Sequence, residues 1–252
     1  MKARSHSTRR VSGKKLEILA RRLRDSFGVP VRQHSFPEPL ELLIATVLSQ
    51  NTNDINSHRA FTNLKGSIPD FTALDSASPL KIERLIKVGG IAKKKSRAII
   101  KIVREIKKKF NRFDRKTLKR IGRDQLVESL KEITGIGYKT AACVSLFAIG
   151  DDDAFPVDTH VHRILNRLGI VDEKTPDKTY NAVKDSIPSG MGYQLHINLI
   201  KFGRTTCTSQ KPSCFGCPLY DICGWVGKSM KTTSNKPPVR DRRSEFMLLE
   251  NV

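Results

Sequence analysis

The chain is short of cysteine, aromatic residues and acid. Its 252 residues include five cysteines, one tryptophan and four tyrosines, and 25 acids stand against 46 lysines and arginines. So little cysteine, behind an opening stretch that is basic and polar rather than a signal peptide, argues against a secreted scaffold held by disulfides. No apolar run approaches the length of a membrane-spanning helix; the longest, LLIATVL at 42–48, suits a buried helix. No basic amphipathic helix with interleaved aromatics is present to lie on a membrane surface. Sustained apolar–polar alternation is missing too, so strands are not expected.

The deficit of acid leaves a formal charge of +21 and a pI of about 10.0. The first fifteen residues carry six bases and no acid, and residues 226–252 carry six bases and three acids, so 12 of those 21 charges fall on residues 16–225. The excess therefore belongs to the patterned part of the chain. It is the electrostatic footprint of a polyanion partner, and nucleic acid fits better than a membrane.

What is present is helical periodicity. Leu16, Leu19, Leu23 and Phe27 recur at helical spacing and Gly28 follows as a helix stop. Helices are expected at 39–49 and 53–65. Ser78-Pro79 reads as a cap with proline at the first helical position. Ala98, Ile99, Ile102, Val103, Ile106 and Phe110 trace one face of a long basic helix. Asp124 is expected to cap a helix carrying Leu126, Val127, Leu130 and Ile133, with later helices near 139–149, 160–168, 177–186 and 193–202. The fold class is all-α with short loops. The polar, basic ends at 1–13 and 226–252 are expected to be disordered.

The cysteines are not spread evenly. Cys207, Cys214, Cys217 and Cys223 stand within CTSQKPSCFGCPLYDIC, and only Cys143 lies elsewhere. Four clustered thiols point to a metal site. The C-x6-C-x2-C-x5-C spacing has a single close pair, an awkward zinc ribbon and a plausible cradle for an iron–sulfur cluster, but spacing alone does not name the metal.

LKEITGIGYKTAACV, 130–144, carries a second signal. Gly135 and Gly137 flank Ile136 between two helices, allowing a turn too tight for residues with a Cβ and baring the first amides of the second helix. Such amides can hold a DNA phosphate without reading a base; an ordinary αα-hairpin is the bland alternative. Lys139 follows near the start of that helix; it could be a solvated charge that simply touches phosphate, but positive potential there disfavours an ammonium and favours a nucleophilic amine. In AFPVDTHVHRIL, 154–165, Asp158 suits a helix N-cap, and its carboxylate could also stabilise a cationic sugar. His160 and His162 read as structural or phosphate-contacting helix residues.

Together the G-x-G-x-K-T-A hairpin, the V-D-T-H some twenty residues later and the cysteine loop resemble the endonuclease III family of helix-hairpin-helix DNA glycosylases. The resemblance spans about residues 14–225. It implies a 4Fe-4S cluster on Cys207, Cys214, Cys217 and Cys223, a catalytic lysine at Lys139 and a catalytic aspartate at Asp158. It further implies that Gln50 of LSQNTND enters the gap left by an extruded base, that Ile91 of GGIAKKK is an apolar wedge, and that Lys211 faces the DNA backbone beside the hairpin glycines. The implied architecture has two lobes with a cleft between them: a six-helix barrel at 38–151, and a cluster lobe at 152–225 with the N-terminal helix of 14–37 packed on it.

The chain departs from the family in three places. Thr134 stands where a proline is usual, Gln210 and Ser213 replace frequent basic residues, and SQNTND differs from the familiar bacterial wording. The implied activity is removal of oxidised pyrimidines from double-stranded DNA by a monomeric enzyme that also cleaves abasic sites, in the cytoplasm or nucleoid, or the nucleus of a eukaryote. Related glycosylases for mismatched adenine or thymine carry serine or tyrosine in place of Lys139. Glycosylases for mismatched uracil or thymine or for modified cytosine, and a non-catalytic redox-sensing DNA-binding protein, are the alternatives.

Overall fold

The computed structural model describes residues 11–32 and 35–230. In chain order its helices are α1 (Gly13–Phe27), α2 (Pro39–Ser49), α3 (Asp54–Ser67), α4 (Pro79–Ile86), α5 (Ala92–Lys109), α6 (Arg115–Ile121), α7 (Arg123–Lys131), α8 (Tyr138–Cys143), α9 (Thr159–Arg167), α10 (Pro176–Val183) and α11 (Gly192–Thr205). Short 3-10 turns occupy Phe71–Asp75, Lys87–Gly89 and Lys184–Ser186, and α8 widens into a π turn over Val144–Ile149. The described residues contain no strand, so the all-α expectation holds.

The chain divides into two compact units. Arg32–Pro156 forms the larger; the described residues up to Val31 join those from Val157 onward in the smaller. The divisions fall at 31/32 and 156/157, a few residues from the expected 37/38 and 151/152.

In the larger unit α2 is apolar on nearly every side, so all of it but Glu41 and Ser49 is buried. Leu42, Leu43, Ile44 and Leu48 are fully enclosed by α3, α5 and α8. α5 presents Ile99, Ile102, Val103 and Ile106 to this core and all its lysines but Lys95 to solvent. At the far end of the π turn Gly150 takes φ 80°, and a Cβ there would lie 2.5 Å from the Phe36 ring. That ring is covered by the Arg115 guanidinium at 3.5 Å. In the smaller unit the expected stripe of α1, Leu16, Leu19 and Leu23, is fully buried and packs on α11, as does α9. Phe27 meets Phe202 edge-on with centroids 6.3 Å apart, and Gly28 ends α1 at φ 77°.

Four local expectations need correction. Asp124 is not a cap: it lies in the first turn of α7, whose N-cap is Gly122 at φ 84°. The same glycine closes α6, a helix not anticipated because its seven residues bury only Leu118. Ser78 does hold the cap position of α4, but its side chain makes no capping bond. The expected tails lie mostly outside the described residues, and where they enter them they are built in. Gly13 opens α1, the Val11 carbonyl accepts the Ser186 hydroxyl at 3.0 Å, and Lys228 donates to the carbonyls of Tyr220 at 3.2 Å and Cys223 at 2.7 Å.

Candidate functional site

The hairpin between α7 and α8 forms as its sequence suggests, with one difference. Gly135 takes φ 95°, a region that L-residues with a side chain rarely enter. Gly137 does not: its φ is −98° and a Cβ would meet nothing within 4 Å. The turn therefore requires only Gly135; Gly137 leaves open space in front of the helix. Ile133 and Ile136 are buried beneath the turn, and Glu105 of α5 accepts the Thr134 amide at 3.1 Å, fastening it from below. The first intrahelical bond of α8 runs from the Ala141 amide to the Gly137 carbonyl at 3.0 Å, leaving the Lys139 and Thr140 amides ahead of the ladder. Lys139 is half-buried one residue into α8, with no hydrogen-bond or ion-pair partner among the described residues.

Two other expected residues of the larger unit sit at or beside unusual backbone. Gln50 is exposed and ends α2. Asn51 beside it takes φ 53°, and Ile91, 53 % exposed, takes φ 50° as the N-cap of α5. These are the two non-glycine residues with positive φ among the described residues. For a β-branched side chain such a conformation costs on the order of 1–2 kcal/mol. A large exposed pocket surrounds Ile91, lined by Lys87, Lys93, Lys94 and Arg97 with the single acid Glu83, a net positive charge around one apolar tip.

The smaller unit carries Asp158, Lys211 and the four cysteines. Asp158 is the N-cap of α9, its Oδ1 accepting the Val161 amide at 2.8 Å, as expected. Half-buried, it keeps its second carboxylate oxygen out of that bond. His160 and His162 have structural partners. The His160 ring packs against Gly203, where a Cβ would fall 2.8 Å from Nδ1, and His162 Nδ1 lies 2.8 Å from the Thr179 hydroxyl.

Cys207, Cys214, Cys217 and Cys223 line one pocket with Ile164, Phe202, Leu219 and Trp225. Burial, together with the other three cysteines, pushes the Cys217 thiol up to about 11. Among the described residues no three His, Cys, Asp or Glu side chains gather as ligands of one ion.

Cations that sequence reasoning missed hold this loop. Arg167 donates to Cys207 Sγ at 3.3 Å, Thr208 O at 2.7 Å and Ser209 O at 2.8 Å, while its guanidinium covers Trp225 at 4.1 Å. Arg163 donates to Cys207 O at 2.9 Å and Gly203 O at 3.0 Å. Arg22 of α1 forms a two-pronged pair with Asp221 and reaches Pro218 O at 3.2 Å. The available signal was the i, i+4 spacing of Arg163 and Arg167, which sets both on one helix face. Lys211 is exposed on the same loop.

Known proteins resemble this chain in sequence and backbone. Residues 44–189 match the family model of HhH-GPD superfamily base excision DNA repair proteins. The chain is 36 % identical to endonuclease III of Thermotoga maritima over 210 residues, covering 82 % of this chain and 92 % of that one. Against endonuclease III of Escherichia coli K12 the identity is 30 % over 215 residues, covering 85 % and 97 %. Its backbone superposes on an endonuclease III trapped as a covalent intermediate with DNA at a TM-score of 0.70 and 26 % identity, covering 84 % of this chain and 96 % of that one. With its glycine hairpin, its helix-capping aspartate and its four-cysteine pocket, the chain belongs to the endonuclease III family of helix-hairpin-helix base-excision DNA repair proteins.

Proposed function

We propose that Lys139 and Asp158 are the catalytic pair of a bifunctional DNA glycosylase and abasic-site lyase acting on oxidised pyrimidines. The observation that carries the reading is Lys139, a half-buried amine with no partner among the described residues, set beside a hairpin whose open glycine face suits a phosphate. The target nucleotide is extruded from the stack before chemistry. The Lys139 amine attacks C1′ as the bond from C1′ to the base breaks, and the base leaves with a proton. Asp158 stabilises the positive charge that develops on the sugar. Transfer of the second amine proton to O4′ breaks the C1′–O4′ bond and opens the ring to a Schiff base; removal of a C2′ proton then expels the 3′ phosphate, cutting the strand. Gln50 and Ile91 fill the space vacated in the duplex, and Lys211 with the hairpin amides at Gly135 and Gly137 holds the backbone. The enzyme acts as a monomer on DNA of the nucleoid or nucleus. No helix among the described residues is long and apolar enough to cross a membrane.

The cysteine pocket fits a 4Fe-4S cluster. Its donor set is four sulfurs in an apolar wall, with an Arg167 N–H already directed at one of them. Cys207, Cys214, Cys217 and Cys223 would hold the cluster, which supplies a rigid crosslink to the loop carrying Lys211.

The test is borohydride trapping and strand cleavage on a duplex bearing thymine glycol. Lys139→Gln should abolish trapping and lower cleavage by orders of magnitude. Asp158→Asn should fold and bind, because an amide can still cap α9, yet slow excision by about a hundredfold. Trapping by Lys139→Gln would place the nucleophile elsewhere. Wild-type turnover of mismatched uracil or thymine, or of modified cytosine, ahead of thymine glycol would move the substrate assignment.

A further inference from the structure

Lys95 is the one lysine or arginine in the core among the described residues, 6 % exposed where its neighbours Lys93 and Lys94 are in solvent. It has no carboxylate partner among the described residues. Its Nζ donates instead to two carbonyls, Leu48 O at 2.7 Å and Gly89 O at 2.9 Å. A buried charge without a counter-charge opposes folding, and burial pushes this ammonium down from its ordinary range. Stability alone does not account for it.

The two carbonyls explain the choice of residue. Leu48 lies in the last turn of α2 and Gly89 ends the 3-10 turn Lys87–Gly89. Each is an end-of-helix oxygen without a further amide to accept, at the negative end of its helix. One ammonium therefore caps two helices. Three residues beyond Leu48 the chain enters positive φ at Asn51, and directly beyond Gly89 it does so at Gly90 and Ile91. Gly89 is also pinned from behind, since a Cβ there would lie 3.1 Å from that of Ala60.

We infer that Lys95 is a positioning residue for base extrusion: by bonding the roots of both turns it fixes the spacing between the Gln50–Asn51 turn and the Ile91 tip. This rests on the reading above, in which those two turns enter the duplex together. A neutral or shorter side chain would leave each helix end in place but let the two tips move independently.

The experiment compares Lys95→Met, which keeps the apolar stem and removes the donors, and Lys95→Gln, which keeps amide donors without charge, with wild-type protein. Three quantities are read at saturating enzyme: single-turnover excision from a thymine glycol duplex, 2-aminopurine fluorescence opposite the lesion, and borohydride trapping on a single-stranded abasic oligonucleotide, which needs no extrusion. With native helicity, Lys95→Met should lose at least tenfold in excision and most of the fluorescence change, while trapping stays within about threefold; Lys95→Gln should fall between Met and wild type. Excision and fluorescence at wild-type levels in Lys95→Met would overturn the inference. So would parallel loss of helicity, excision and trapping in both variants, because that marks a purely structural residue. Wild-type protein inactive in excision and trapping would instead overturn the glycosylase reading beneath it.

Discussion

Gly203 and the two histidines of α9 show how single positions tie structure to pH. Gly203 exists to admit His160, whose ring would collide with any side chain there. The Asn166 amide accepts the Glu173 N–H through its oxygen at 2.8 Å, so its nitrogen must face His162 Nδ1, at 3.2 Å, as a donor. Arg163, which can only donate, faces His160 Nδ1 at 3.1 Å. Both imidazoles thus accept at Nδ1 and are neutral in the fold. Burial lowers both from the ordinary 6.5; at His160 the Asp158 charge pulls the other way and those of Arg163 and Arg204 oppose it. A folded value below the unfolded one means that the stability is fully present above about pH 6.5 and is lost as pH falls through the folded values. The urea midpoint should therefore drop between pH 7.5 and 5, and His162→Gln should flatten part of that slope. A midpoint constant over this range would show that neither imidazole is held neutral. Gly203→Ala should cost about 1–3 kcal/mol by displacing the His160 ring, read as a lower thermal midpoint at pH 7.5.

At the scale of elements, the strained N-cap of α5 separates stability from activity. Ile91 holds a left-handed conformation that glycine adopts freely. Ile91→Gly should leave the thermal midpoint unchanged or raise it, by about 1 kcal/mol of relieved strain, while lowering excision from duplex DNA at least tenfold. A clear loss of stability would show instead that the exposed side chain is structural. Elements also mark how far the sequence could be read. α1 and α5 were legible because each sets one apolar stripe against a core, and α9 because Asp158 both precedes and caps it. α6 was not, since a seven-residue helix with one buried leucine leaves no period to follow. The π widening after Cys143 was hidden because Val144–Ile149 is buried on every side, so no pattern distinguishes one hydrogen-bond register from another. Lys95 lay within a run of three lysines, yet it precedes Ile99, Ile102 and Ile106 at helical spacing. The signal was its place on the buried face, overruled by its charge.

Over the whole molecule two properties remain to be measured, the charge and the metal. With 12 of 21 net positive charges on residues 16–225, DNA binding should weaken with a slope of log K on log salt of roughly −3 to −6, from about 0.9 per neutralised phosphate. A flat dependence would put the charge away from the DNA. Purified protein should be yellow-brown with about four iron and four sulfide per chain, and Cys214→Ser should lose both; stoichiometric zinc without sulfide would defeat the cluster. Chelation should loosen the cysteine loop without melting α2–α8, because that loop and those helices belong to different units. The same division has a consequence for biosynthesis. Arg32–Pro156 is continuous and can close on itself as it leaves the ribosome, whereas α1 is made early and packs on α11, about 180 residues later. At about 5–20 residues per second, Leu16, Leu19 and Leu23 wait roughly ten to forty seconds for their partner. For that interval the nascent chain carries a naked leucine stripe beside a finished larger unit, and a ribosome stalled soon after Pro156 would present that stripe to chaperones with nothing in the chain to cover it.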